Sequence, residues 1–148
     1  MHLLGVINDF SEELFMLLCI NTFFYLLHGS FAKLWNCFGM LSRVMLGMQA
    51  NWDQSNTSNK SFSHQETMRR VVWQVFAMDR LLAGGYDEYI ACRTEHITIR
   101  LPCIESAYRE NISVFTDRLF DTPSADLSTL GLHGWQTRTI DLRHRIQV

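Results

Sequence analysis

Residues 14–27 read LFMLLCINTFFYLL, a run that would put apolar side chains on nearly every face of a helix. Such a helix has to be enclosed by neighbouring elements or by lipid, because no face of it is suited to water. A bilayer span takes about 20 apolar residues, and this run is shorter and carries Asn21 and Thr22. It therefore reads as a core helix of a bundle, over residues 10–27, and no membrane partner is expected. Ser11 is placed to cap it, and Glu12 and Glu13 suit the positive helix start.

The rest of the chain supplies partners for that helix. His28-Gly29-Ser30 breaks it, and Phe31, Leu34, Trp35, Phe38, Leu41, Met45 and Met48 then recur at helical spacing, predicting a second helix over 31–48. Gly39 and Ser42 are small enough to admit a close neighbour. Residues 50–63, rich in Asn and Ser, form a predicted loop. Ser63 followed by Glu66 matches a capping box, so a third helix is expected over 64–83. Its inner face would carry Met68, Val72, Val75, Phe76, Asp79 and Leu82, thickened by Val71, Trp73 and Met78, with Glu66 and Arg70 paired one turn apart. Gly84-Gly85 provides the stop.

Beyond this stop the pattern changes. HITIRLP (residues 96–102) alternates, with Ile97, Ile99 and Leu101 on one side, and predicts one short extended strip laid across helices. Residues 121–128 read as a second loop. A final helix is expected over 134–148, with a stripe of Trp135, Thr139, Leu142 and Ile146 and an Asp141–Arg145 pair. It has no C-cap signal, so the expectation is an all-α bundle or array that forms an incomplete domain.

Composition bounds the function. With 13 basic and 15 acidic residues the formal charge is -2. A chain of that balance lacks the basic stripe through which DNA-binding domains neutralise phosphate. The four cysteines, Cys19, Cys37, Cys92 and Cys103, contain no CxxC pair and suit an intracellular chain with free thiols. No nucleophile elbow, P-loop or dinucleotide fingerprint occurs, and no enzyme activity or catalytic residue is assigned. Cys92, His96 and Cys103 offer three metal-ligand types, but structural zinc closes with four, so no metal or cofactor is assigned to the chain. Asp79 is the one carboxylate on an apolar helix face; it needs an arginine or backbone N–H groups to be stable there and is read as structural.

At the third helix these residues also form a recognisable pattern. ETMRRVVWQVFAMDRLLAGG (residues 66–85) resembles the signature helix of the fungal-specific transcription factor domain, the middle homology region of zinc binuclear cluster transcription factors. The matching positions are Glu66, Arg69, Arg70, Trp73, Phe76, Asp79, Arg80 and Gly84; where the family commonly has two tryptophans, this chain has Val72 and Trp73. Downstream, Glu95-His96-Ile97 through Leu101-Pro102-Cys103 resembles the family's strip ending in Leu-Pro. Upstream, HGSFAKLWNCFGMLSR (residues 28–43) resembles its helical hairpin, and DLRHRI (141–146) resembles the opening of its next helix.

The resemblance implies an all-α, non-enzymatic regulatory module of a nuclear protein, taking part in regulation of RNA polymerase II transcription. Family members contact DNA through an N-terminal six-cysteine zinc cluster that has no counterpart among these 148 residues. DNA and zinc are thus implied for a longer parent only, and coregulators or a small-molecule effector are the implied partners of this module. Two alternatives are a truncated gene product without independent activity and a helical effector-binding module. No ligand-binding residues are assigned.

Overall fold

The computed structural model describes residues 10–53, 59–122 and 127–147. These residues form five α-helices: α1 (Glu12–Leu27), α2 (Phe31–Gly47), α3 (Phe62–Ala83), α4 (Glu105–Arg109) and α5 (Leu132–Gln147), with short 3-10 turns between them. No strand forms among them; an isolated antiparallel bridge joins Cys103 to Leu130. The fold is all-α, and no described helix is long and apolar enough to cross a membrane. The chain divides into two compact units, Met1–Gln49 and Ala50–Val148.

The first unit is the α1–α2 hairpin. Ser11 caps α1 as its sequence predicts, its hydroxyl accepting from the Leu14 amide at 3.2 Å. Phe15, Leu18, Cys19 and Thr22 are buried on α1, and Leu34, Cys37, Phe38, Leu41, Ser42, Val44 and Met45 on α2. The Thr22 hydroxyl donates to the Leu18 carbonyl at 2.7 Å and lies 3.3 Å from the Cys37 sulfur. Two expectations are corrected. First, α1 is not enclosed all round: Leu17, Ile20, Phe24 and Leu27 are exposed, because an apolar-all-round helix does not itself dictate how many neighbours cover it. Second, the α2 stripe is rotated toward Cys37 and Val44, leaving Phe31 and Trp35 exposed, and Gly39 faces open space instead of a neighbour.

In the second unit α3 is central. It begins two residues before its predicted start, because Ser61 and not Ser63 is the N-cap, its hydroxyl accepting from the His64 amide at 3.3 Å. The predicted Ser63–Glu66 capping box does not form. Ser63 is instead held from outside the helix: its amide and its hydroxyl both donate to the Asn111 side-chain oxygen, each at 2.8 Å. That bond satisfies one of the orphan donors of the first turn and releases Glu66 to face inward. Gly84 ends α3 in the left-handed conformation, φ 60°, as its sequence predicts.

After α3 the chain reverses through Asp87–Tyr89 and runs back along the helix as an irregular strap, residues 91–105. The strap contains the alternation predicted for residues 96–102, since Ile97, Ile99 and Leu101 are all buried, but without ladder partners it is no strand. Leu132–Gln147 then packs on α3. Its inward face is a further correction: Gly134, Thr137, Asp141 and His144 are buried, whereas Trp135, Leu142 and Ile146 of the predicted stripe are exposed. The buried face is one to two residues out of phase with the apolar pattern, and Gly134 on it sits in a tight approach. A Cβ there would collide with the Leu130 side chain and crowd the Pro102 carbonyl. The Asp141–Arg145 pair forms at 2.8 Å. Parts of the predicted loops 50–63 and 121–128, namely residues 54–58 and 123–126, lie outside the described residues, as does Val148.

Candidate functional site

The polar residues of α3 form two clusters, one at each end of the helix, and both grip the strap. At the C-terminal end Asp79 is fully buried. Its carboxylate accepts from the Ala91 amide at 2.9 Å, the Cys92 amide at 3.0 Å and Arg80 Nη1 at 2.6 Å. Arg80 in turn donates through Nη2 to the Cys92 carbonyl at 3.1 Å and to the Thr94 hydroxyl, and its guanidinium lies 4.3 Å from the centre of the Phe76 ring. Both supports proposed for Asp79 are thus present together. Burial pushes its carboxyl above the ordinary range, and the two amides and Arg80 pull against that shift.

At the N-terminal end Glu66 is also fully buried. One oxygen accepts from the Cys103 amide at 2.9 Å and from Arg70 Nε at 3.1 Å, and the other accepts from Arg69 Nη1 at 2.6 Å. Arg70 extends the chain of charges to Glu105 at 2.7 Å and stacks 4.1 Å from the centre of the Tyr108 ring. Burial works against the Arg70 charge, but its hydrogen bonds to Glu105 and Glu66 overcome this and hold it above its ordinary value. The bonds from Arg70 and Arg109 hold the Glu105 carboxyl below the usual range. Between the clusters, the Trp73 indole donates to the Arg100 carbonyl at 2.7 Å, and its ring meets Phe76 edge-on at 5.3 Å.

The strap runs antiparallel to α3: residues 66 and 70 hold 103, residue 73 holds 100, and residues 79 and 80 hold 91–94. The 13 residues from Glu66 to Asp79 rise about 20 Å. A fully extended chain of similar length would span nearly twice that. The 3-10 turn Thr94–His96 takes up part of the excess.

Glu66, Arg69, Arg70, Trp73, Asp79 and Arg80 therefore all act on the strap or on one another, Phe76 packs beneath Arg80, and Leu101 and Pro102 are buried in the strap itself. Cys92, His96 and Cys103 are not brought together: His96 is exposed, and no group of three metal-ligating side chains exists among the described residues. The cysteines are buried, and burial raises the thiol of Cys92 to about 12 and those of Cys103 and Cys19 to about 11. Such thiols are poor nucleophiles at neutral pH.

Three positions carry weight that sequence reading missed. Buried Asn51 accepts from the amides of Thr98 and Ile99 through its backbone carbonyl and donates from its side chain to the His96 carbonyl at 2.6 Å. Arg100 bridges the strap to the next segment, donating to the Thr116 carbonyl at 3.0 Å and lying 3.1 Å from Asp53. Gly131 lies so close to the Cys103 carbonyl that a side chain there would collide with the strap backbone. Asn51 and Asp53 had no motif around them; Arg100 could have been noticed as the charged residue inside an alternating strip.

Clefts open among the described residues of this unit. A cavity of about 150 Å³ lies between α3 and α5, lined by Arg70, Trp73, Pro102 and Thr137 among others. A second cleft, of about 440 Å³, lies between the start of α3 and residues 113–115.

The buried charges Glu66, Asp79 and Arg80 of α3 are committed to its own backbone strap and to one another. The model of the fungal specific transcription factor domain matches residues 13–141, and the chain belongs to that family, a regulatory region of fungal transcription factors. Comparison with curated proteins gave no match, nor did comparison with solved structures.

Proposed function

We propose that this chain is the non-enzymatic regulatory module of a fungal zinc-cluster transcription factor, that it acts in the nucleus, and that it takes part in controlling transcription by RNA polymerase II within a longer parent. The match over residues 13–141 carries the reading. The charge of -2 supports leaving DNA contact, and the zinc that goes with it, to a separate cluster of the parent. Glu66, Arg69, Arg70, Trp73, Phe76, Asp79, Arg80, Gly84, Leu101 and Pro102 are proposed as the structural signature. Their contacts with the strap support that role.

The test is a fusion of residues 1–148 to an unrelated DNA-binding domain, assayed on a reporter in a fungal host. A regulatory module changes reporter output several-fold relative to the DNA-binding domain alone, and Asp79→Ala removes the change at equal protein level. Unchanged output from a folded, nuclear fusion would overturn the reading and favour a product without independent activity.

A further inference from the structure

The larger cleft is lined by Phe62, Gln65, Arg69, Arg100, Val114 and Phe115, with Ser113 at its edge. Its volume, about 440 Å³, falls within the range of small-molecule sites. Two guanidiniums line it and no carboxylate does. Arg69 is 5% exposed, and only its Nη1 has a partner, Glu66; its Nε is buried with none among the described residues. Arg100 commits Nη1 to the Thr116 carbonyl, and its Nε, though 3.1 Å from Asp53, makes no hydrogen bond. A guanidinium has five donors; the two Nε groups are enclosed, but Nη2 of each arginine is neither enclosed nor hydrogen-bonded among the described residues and remains for an incoming acceptor.

Neither cation has a carboxylate to itself. Glu66 is shared between Arg69 and Arg70, and Asp53 between Arg100 and Arg118. Beside these donors stand three apolar side chains, with Phe62 and Val114 half-buried and Phe115 exposed, its ring centre 3.4 Å from the Arg100 guanidinium; Gln65 and Ser113 complete a mixed lining. We propose that this cleft is a binding site for a small carboxylate with an apolar or aromatic body, the carboxylate meeting Arg69 and Arg100 and the body lying on Phe62, Val114 and Phe115. Planar, paired donors match the two oxygens of a carboxylate. The proposal concerns binding by this chain and stands apart from the transcriptional reading, because it is measured without a reporter.

The test titrates the full chain with 4-phenylbutyrate, its neutral amide and inorganic phosphate, using ligand-observed NMR and thermal shift. The carboxylate is expected to bind saturably with a Kd on the order of 1 mM or tighter, as befits a fragment of that size. The amide and phosphate should each bind at least about tenfold more weakly, one lacking the charge and the other the apolar body. Ser113→Glu places a competing carboxylate at the cleft edge on an exposed position, so it should fold as the parent does and weaken phenylbutyrate by a similar factor. Arg100→Gln should do the same. Equal binding of acid and amide, equal binding of phosphate, unaltered binding by the folded Ser113→Glu variant, or no saturation in the millimolar range would each overturn the assignment.

Discussion

Replacing Asp79 by alanine tests the central physical claim, that α3 holds its strap through buried charge. In the parent, the Asp79 and Arg80 side chains are 1% and 2% exposed. Removing the carboxylate leaves the Arg80 guanidinium buried and uncompensated, a situation that costs about 3–5 kcal/mol. The Cys92 amide also loses its acceptor, at about 1–3 kcal/mol while it stays buried, and the partly exposed Ala91 amide loses its own at less. These losses overlap, because residues 91–94 can move toward water and relieve both, so the expected total is about 4 kcal/mol. With a urea m-value of about 2 kcal/mol/M, the unfolding midpoint followed by tryptophan fluorescence should fall by about 2 M. Arg109→Ala is the comparison: its pair with Glu105 is 75% and 48% exposed and screened by solvent, so its loss should leave the unfolding midpoint close to that of the parent. The double variant Asp79→Ala/Arg80→Met should recover part of the Asp79→Ala loss, since no orphan charge remains. An Asp79→Ala protein that unfolds within about 1 kcal/mol of the parent would refute the reasoning.

Other outcomes follow from the same contacts. Gly84→Ala should cost about 1 kcal/mol by urea unfolding, because φ is 60° while the space around it is open. Gly131→Ala should cost more, about 2–3 kcal/mol, because its Cβ meets the backbone of Cys103, which has no side-chain rotation to offer. Above about pH 8.5 stability should fall, since the thiol of Cys92 ionises near 9 in the unfolded chain but only at about 12 in the fold. The folded value is raised, so the contribution is complete below the unfolded value and drains away as pH climbs toward the folded one. Cys92→Ala should flatten that alkaline slope by about 1.4 kcal/mol per pH unit, read from urea midpoints between roughly pH 9 and 10.5.

Elements set by local chemistry were legible in the sequence. Ser11 and Gly84 ended helices where their side chains, or the lack of one, said they should, and the bounds of α1 and α2 follow from the apolar spacing between them. Elements set by distant partners were not. Ser63 and Glu66 have the spacing of a capping box, but Asn111, 48 residues on, holds Ser63, and the Cys103 amide, 37 residues on, takes Glu66. The face of α5 was misread for a related reason. Its inward residues are Gly134, Thr137, Asp141 and His144, so apolar periodicity points the wrong way by one to two residues. The site shows the same division. The charged residues of α3 stood out as a cluster, whereas Asn51, Asp53 and Arg100 depend on the return of the strap, which no local pattern announces.

That strap has a consequence for how such sequences can vary. The helix holds residues 91, 92, 100 and 103 by their amides and carbonyls, groups that every residue type but proline supplies in full. Side-chain identity at these points is therefore free with respect to the grip, and what must be kept is the count between them. A residue inserted between Arg100 and Cys103 would put Trp73 and Glu66 out of step with their acceptor and donor. One inserted near the Thr94–His96 turn would instead disturb the contacts of Thr94 with Arg80 and of His96 with Asn51. Lineages carrying this helix should thus keep the length of the strap at the end nearest Glu66 more strictly than the side chains at its gripped positions, while the buried Ile97, Ile99 and Leu101 stay apolar for packing.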